Sequence, residues 1–165
     1  MTIQREAAYH EAAHAVLAHK SKYHAIVGEI NLLDYGAGEL YLSLSRSKCA
    51  RGGKPQDPSA QRDKDVAQDF AVVLCAGLAG EIIASEHDKT LTPNPVAAEP
   101  DYDIMKLQLQ KAGLSKKHDL YEKQAHELLK ENWKAVDNLA KYLFTKQSAQ
   151  PLEIIEIIER ACQAP

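Results

Sequence analysis

Residues 63 to 86 read DKDVAQDFAVVLCAGLAGEIIASE, and from Phe70 to Ile83 the only charged side chain is Glu81. No proline interrupts the run, and a helix that is apolar on every side has to be buried. The rest of the chain must therefore supply the structure that wraps it. With 165 residues, one domain can bury a continuous core of that kind without disulfides. The segment from Thr2 to about Ser21 is rich in Ala and Glu and lacks Gly and Pro, so its propensity is also helical.

Strand character is confined to residues 25–45. AIVGEINLL is apolar and β-branched, DYGAG is turn-like, and in ELYLSLS the residues Leu40, Leu42 and Leu44 alternate with Tyr41, Ser43 and Ser45. That pattern predicts a β-hairpin with one apolar face. Residues 46–62 carry Gly52-Gly53, Pro55, Pro58 and several basic side chains without hydrophobic periodicity, which predicts a flexible, solvated connection instead of a lid. Pro93, Pro95 and Pro100 make 87–100 a second non-helical loop. Helical patterning returns over 101–165, with breaks near Gly113 and at Gln150-Pro151. The expected fold class is α+β, predominantly helical, in one domain.

Composition removes several functions. A net charge of -3 and a pI near 6.2 argue against sequence-independent nucleic-acid binding, which needs a clustered basic surface. Cys49, Cys75 and Cys162 lack metal-site spacing and read as reduced thiols. The N-terminal MTIQREAAYHEAAH is charged where a signal peptide is apolar, and no window holds about 18 uninterrupted apolar residues. The expectation is a cytoplasmic protein without membrane insertion.

Within the first helix lies HEAAH. His14 is one turn beyond His10 and about 40° round the axis, so the two imidazoles project side by side and can share a metal. Glu11 lies about 60° from His14, beside such a metal instead of on it. There a carboxylate can take a proton from a water polarised by zinc and return it to the leaving amine of a cleaved peptide. A catalytic zinc needs a third protein ligand. Spacing leaves Glu81, His87, Asp101 and Asp103 open, and it excludes the HExxHxxGxxH form, because positions 17 and 20 are Leu and Lys. His19 and His24 do not share the ligand face, and His118 and His126 sit in charged surroundings as surface residues.

Several ordered stretches give the chain a resemblance. YHEAAHAV resembles the YHEAGHAV of the FtsH-type peptidase domain, from the family of membrane-anchored ATP-dependent zinc proteases. VLCAGLAGEII looks like that family's GGRxAEE helix, and EPDYDI falls where the family has its Asn-Asp-Ile segment. AHELLKENWKAVDNLAKYLFTK is similar to its helical tail. The resemblance implies an FtsH-peptidase-like fold with a C-terminal helical bundle and a Zn2+ ion. It assigns the third ligand to Asp103, beside His10 and His14. Glu81 is expected to hold a histidine ligand from behind. Two positions depart from the pattern. Ala13 replaces a glycine, adding a methyl where the helix is expected to meet the hairpin, and Gly80 replaces a small alanine, which would loosen its helix.

The 165 residues contain no GxxxxGK[ST] phosphate loop. The functional expectation is therefore a zinc metalloendopeptidase, ATP-independent on its own, that hydrolyses unstructured or unfolded polypeptides. The substrate would lie as an added strand along Glu39, Leu40, Tyr41, Leu42 and Ser43. A separate ATPase is the partner that could feed it, and apolar faces on 63–86 and on LEIIEIIERA favour a homo-oligomer. The alternative is a noncatalytic metal-binding relative acting as a regulatory or scaffold module.

Overall fold

The computed structural model describes residues 4–35 and 41–163. Among them the chain forms seven α-helices and four strands of two or three residues, so it is predominantly helical. In order these are α1 (Arg5–Lys20), β1 (His24–Ile26), β2 (Ile30–Asn31), β3 (Leu42–Leu44), α2 (Arg46–Arg51), α3 (Lys64–His87), α4 (Glu99–Lys111), α5 (Asp119–Glu131), α6 (Trp133–Lys146), β4 (Ser148–Ala149) and α7 (Pro151–Cys162). Short 3-10 turns occupy Leu32–Asp34, Pro58–Arg62 and Pro95–Ala98.

Two helices make the centre. Every residue of α1 from Ala7 to Ala18 is buried, including His10, Glu11 and His14. It packs against α3 on one side and α6 on the other, and α3 in turn packs on α4 and α5. Small side chains permit this. A Cβ built on Gly80 would lie 2.5 Å from the Ala13 Cβ, so the two helices approach at a point where only one of them carries a methyl. The methyl of Ala13 thus faces α3, not the hairpin. From the far side, Tyr9 stacks on Trp133 (5.7 Å) and donates to Asp137 at 2.6 Å, which fixes α1 on α6. Helix α3 is long and apolar enough to cross a membrane by length and composition, and 67% of its apolar stretch is buried inside this fold.

The strand region keeps the expected hairpin only in part. β1 pairs antiparallel with β3, with Ala25 opposite Ser43. Residues 30 and 31 instead pair with β4, near the other end of the chain. The Asn31 side chain accepts from the Leu33 amide and starts a 3-10 turn, which ends the strand early. Glu39 and Leu40 of the expected substrate edge lie outside the described residues.

The 46–62 segment is largely helical, contrary to the flexible loop expected. Ser45 caps α2 by accepting from the Lys48 amide, and Cys49 and Ala60 are buried anchors. The Lys48 ammonium donates to the carbonyls of Ala18 and His19 and also to that of His24, closing the C-terminal end of α1. The 87–100 loop is shorter than expected, because Pro100 sits in the first turn of α4, where its missing N–H costs nothing. Tyr121 to Lys146 is likewise two helices, divided at Asn132, where a single run was read.

The apolar stripe of α7 is turned inward. Ile154 and Ile158 are fully buried, each contributing roughly 2 kcal/mol. The faces that gave a reason to expect self-association are therefore covered largely within the chain.

Candidate metal centre

Two helices converge on one point. α1 contributes His10 and His14, and α4 contributes Asp101 from its first turn. The His10 Nε2, His14 Nε2 and Asp101 Oδ2 atoms form a triangle with each side 3.1 Å. All three side chains are buried, and the group is able to hold a metal ion.

Tautomers strengthen that reading. His14 Nδ1 is 2.8 Å from the Val73 carbonyl, which can only accept, so Nδ1 carries the proton. His10 Nδ1 donates to Glu81 Oε2 at 2.8 Å. In the neutral imidazoles, both Nε2 atoms then present lone pairs, and Asp101 adds a carboxylate oxygen. Three acceptors 3.1 Å apart repel one another unless something positive lies between them. A proton can bridge one side of the triangle at a time, whereas a cation on its axis serves all three. The size fits as well. For sides of 3.1 Å each atom is about 1.8 Å from the centre, so an ion about 1 Å off the plane lies about 2.0–2.1 Å from every donor, the range for zinc with N and O ligands.

The aspartate in this group is Asp101 and not Asp103. Two residues on, about 200° round the helix, Asp103 projects to solvent on the opposite face of α4. His87, another candidate, stacks on Trp133 at 5.6 Å. His24 is buried, with Nδ1 2.7 Å from Asp69 and its ring stacked on Phe70. His19 pairs with Glu159 near the surface. A second His/Asp/Glu group, His118, Asp119 and Glu122, lies at the start of α5, with Asp119 exposed to solvent. Its closest pair is an i,i+4 contact between His118 and Glu122 at 3.2 Å.

Glu81 is the lone charge in the apolar run of α3, and every oxygen has work. Besides the His10 ring, it accepts from the Tyr35 hydroxyl at 2.9 Å and from the Asn94 amide at 3.0 Å, both on Oε1. Tyr35 also sets its ring edge-on to His10 at 5.1 Å. Burial first, and then the neighbouring Glu81 carboxylate, push the Tyr35 phenol well above its ordinary range, so it remains a donor. Glu11, only 3% exposed, accepts from the Tyr41 hydroxyl at 2.5 Å on Oε2. Tyr35 and Tyr41 thus hold the two carboxylates that flank the histidines.

Gly77 completes the centre and escaped the sequence reading. A Cβ there would lie 2.4 Å from His14 Nε2 and 2.5 Å from His10 Nε2. A glycine in the middle of a buried helix was the available signal.

Tyr41, Leu42 and Ser43, the described part of the expected substrate edge, run alongside. The Val27 amide donates to the Tyr41 carbonyl and the Ser45 amide to the Tyr23 carbonyl, so the odd-numbered residues of this strand face β1. The backbone groups of Leu42 and Leu44 therefore point to the open side of the two-stranded ribbon. In comparisons with known proteins, no family model matches this chain and no curated protein sequence matches it.

Proposed function

We propose that this chain is a zinc-dependent endopeptidase of FtsH-peptidase type that hydrolyses unstructured or unfolded polypeptides. The observation that carries the reading is the triangle of lone-pair donors, His10, His14 and Asp101, with Glu11 on the same helix between the two histidines. A zinc ion held by those three supplies a Lewis acid that polarises a carbonyl and lowers the pKa of water.

The chain's own residues do the rest. Glu11 takes the proton from the attacking water and returns it to the departing amine. Tyr41 keeps that carboxylate in place through Oε2. Glu81 and the Val73 carbonyl hold the imidazoles in the tautomer that leaves both Nε2 atoms as ligands. The outward backbone groups of Leu42 and Leu44 take the substrate as an added strand, which binds main chain and selects little by sequence. A separate ATPase remains part of the proposal as the source of unfolded chain.

A noncatalytic metal-binding module would use the same ligands. The observation in its favour is the burial of Glu11 beneath the Tyr41 phenol. One experiment separates the readings. Zinc content and degradation of a casein-like unfolded protein are measured for the native chain and for Glu11→Gln. The endopeptidase reading expects one zinc per chain in both, with cleavage falling about 10²- to 10⁴-fold in the variant. Zinc bound without any cleavage by the native chain establishes the module instead, and no zinc in either overturns both.

A further inference from the structure

A cleft of about 110 Å³ opens beside β3, lined in part by Leu42, Leu44, Val66, Phe70 and Gln108. Its volume is below the roughly 150 Å³ that accepts benzene, so it has room for one side chain at most. The apolar side chains share the walls with His24, Ser43, Gln61 and Gln108, and one of these four polar groups stands out. Gln108 Oε1 is buried and has no hydrogen-bond partner among the described residues. A buried acceptor left unmade is costly, so its partner is expected to arrive from outside.

The cleft is in line with the metal centre. Gln108 is seven residues beyond Asp101 on α4, and Phe70 is seven residues before Gly77 on α3. Seven residues are almost two full turns, so each cleft residue shares a helix face with its counterpart at the metal, about 10 Å away along the axis. On the other wall, β3 leads from Tyr41, bonded to Glu11, to Leu42 and Leu44, which line the cleft. An extended chain covers about 3.3 Å per residue, so the cleft is two or three residues from a bond positioned at the metal.

We infer that this cleft is a side-chain subsite for a long residue ending in an N–H donor, namely lysine, arginine or glutamine, two or three positions from the cleaved bond. The aliphatic stem lies against Leu42, Leu44, Val66 and Phe70, and the terminal N–H donates to Gln108 Oε1. This inference rests on the endopeptidase reading, and it adds a selectivity that strand addition alone does not give.

The test uses the zinc-loaded full chain carrying Glu11→Gln, which holds peptides without cutting them, and a positional-scanning peptide library read by binding. Lysine, arginine and glutamine should be selected over leucine by about tenfold at one position, the worth of one hydrogen bond. Adding Gln108→Leu should turn the preference to leucine and methionine, and adding Gln108→Glu should favour lysine and arginine over glutamine. Circular dichroism of each variant confirms that it is folded. Preferences identical in the parent and in Gln108→Leu, or no peptide binding, overturn the subsite. Cleavage by the native chain is scored separately. Cutting without a Gln108-dependent preference removes the subsite and leaves the endopeptidase, whereas Gln108-dependent binding without cutting keeps the subsite and removes the endopeptidase.

Discussion

Gly77→Ala should leave the fold intact and disable the metal centre. The added methyl carbon would sit 2.4 Å from His14 Nε2 and 2.5 Å from both Cε1 and Nε2 of His10, where ordinary contacts need about 3.5 Å. The imidazoles must therefore retreat by about 1 Å, against a tolerance of about 0.2 Å in ligand distance. That movement also stretches the 2.8 Å bonds from the two Nδ1 atoms to Glu81 and Val73. Without metal, two effects oppose each other. Alanine is better than glycine inside a helix by about 1 kcal/mol, and overpacking costs about 1–3 kcal/mol, so the apo protein should lose no more than about 2 kcal/mol.

With metal, the two chains should diverge. A zinc affinity lowered at least 100-fold removes about 2.7 kcal/mol of ligand stabilisation. For a chain of this size that is a zinc-induced rise in Tm smaller by about 5–10 °C. Thermal melts with and without zinc, alongside competition titration against a chelator, read both quantities. If Gly77→Ala binds zinc as tightly as the native chain, the geometry assigned to the centre is wrong.

Two further substitutions probe the same region. Asp101→Asn should weaken zinc binding at least tenfold while Asp103→Asn leaves it unchanged, as chelator competition would register; equal losses would restore Asp103 as a ligand. Gly80→Ala alone should destabilise by about 1–3 kcal/mol because its Cβ meets that of Ala13 at 2.5 Å, and pairing it with Ala13→Gly should recover most of the loss. Urea unfolding of the two single variants and the pair gives the coupling, and strictly additive values would refute it.

The parts of this fold that repeat at helical spacing were legible. The i, i+4 histidines and the single charge in the apolar run both mark faces that the helix period alone determines. The aspartate beside the two histidines is Asp101 and not the expected Asp103 for a local reason. The Asp-Ile pair fixed the register of EPDYDI on Asp103, and Pro100 was treated as the end of a loop. Read as a first-turn proline, it starts α4 at Glu99 and brings Asp101 into the turn that faces α1. The pairing of β2 with β4 was beyond such reasoning, because two residues carry no period and their partner lies more than a hundred positions away. The hydroxyl of Tyr41 was equally out of reach. Alternation with Leu40 and Leu42 marks its side of a strand, but not that Glu11 waits there.

Ala13 and Gly80 raise a subtler point. Taken singly, each is a departure from the resembled pattern with its own consequence, a methyl too many in one helix and one too few in the other. In space they face each other across the α1–α3 crossing, and there is room for one methyl between them. The pattern resembled has its glycine on the first helix and its alanine on the second, and this chain has the reverse. The two departures are then a single exchange that conserves the volume at the contact, which close-packed interiors tolerate far better than either change alone. Ala13 directly precedes His14 and Gly80 directly precedes Glu81, so the one methyl at this contact sets the α1–α3 spacing beside the group that could hold a metal ion.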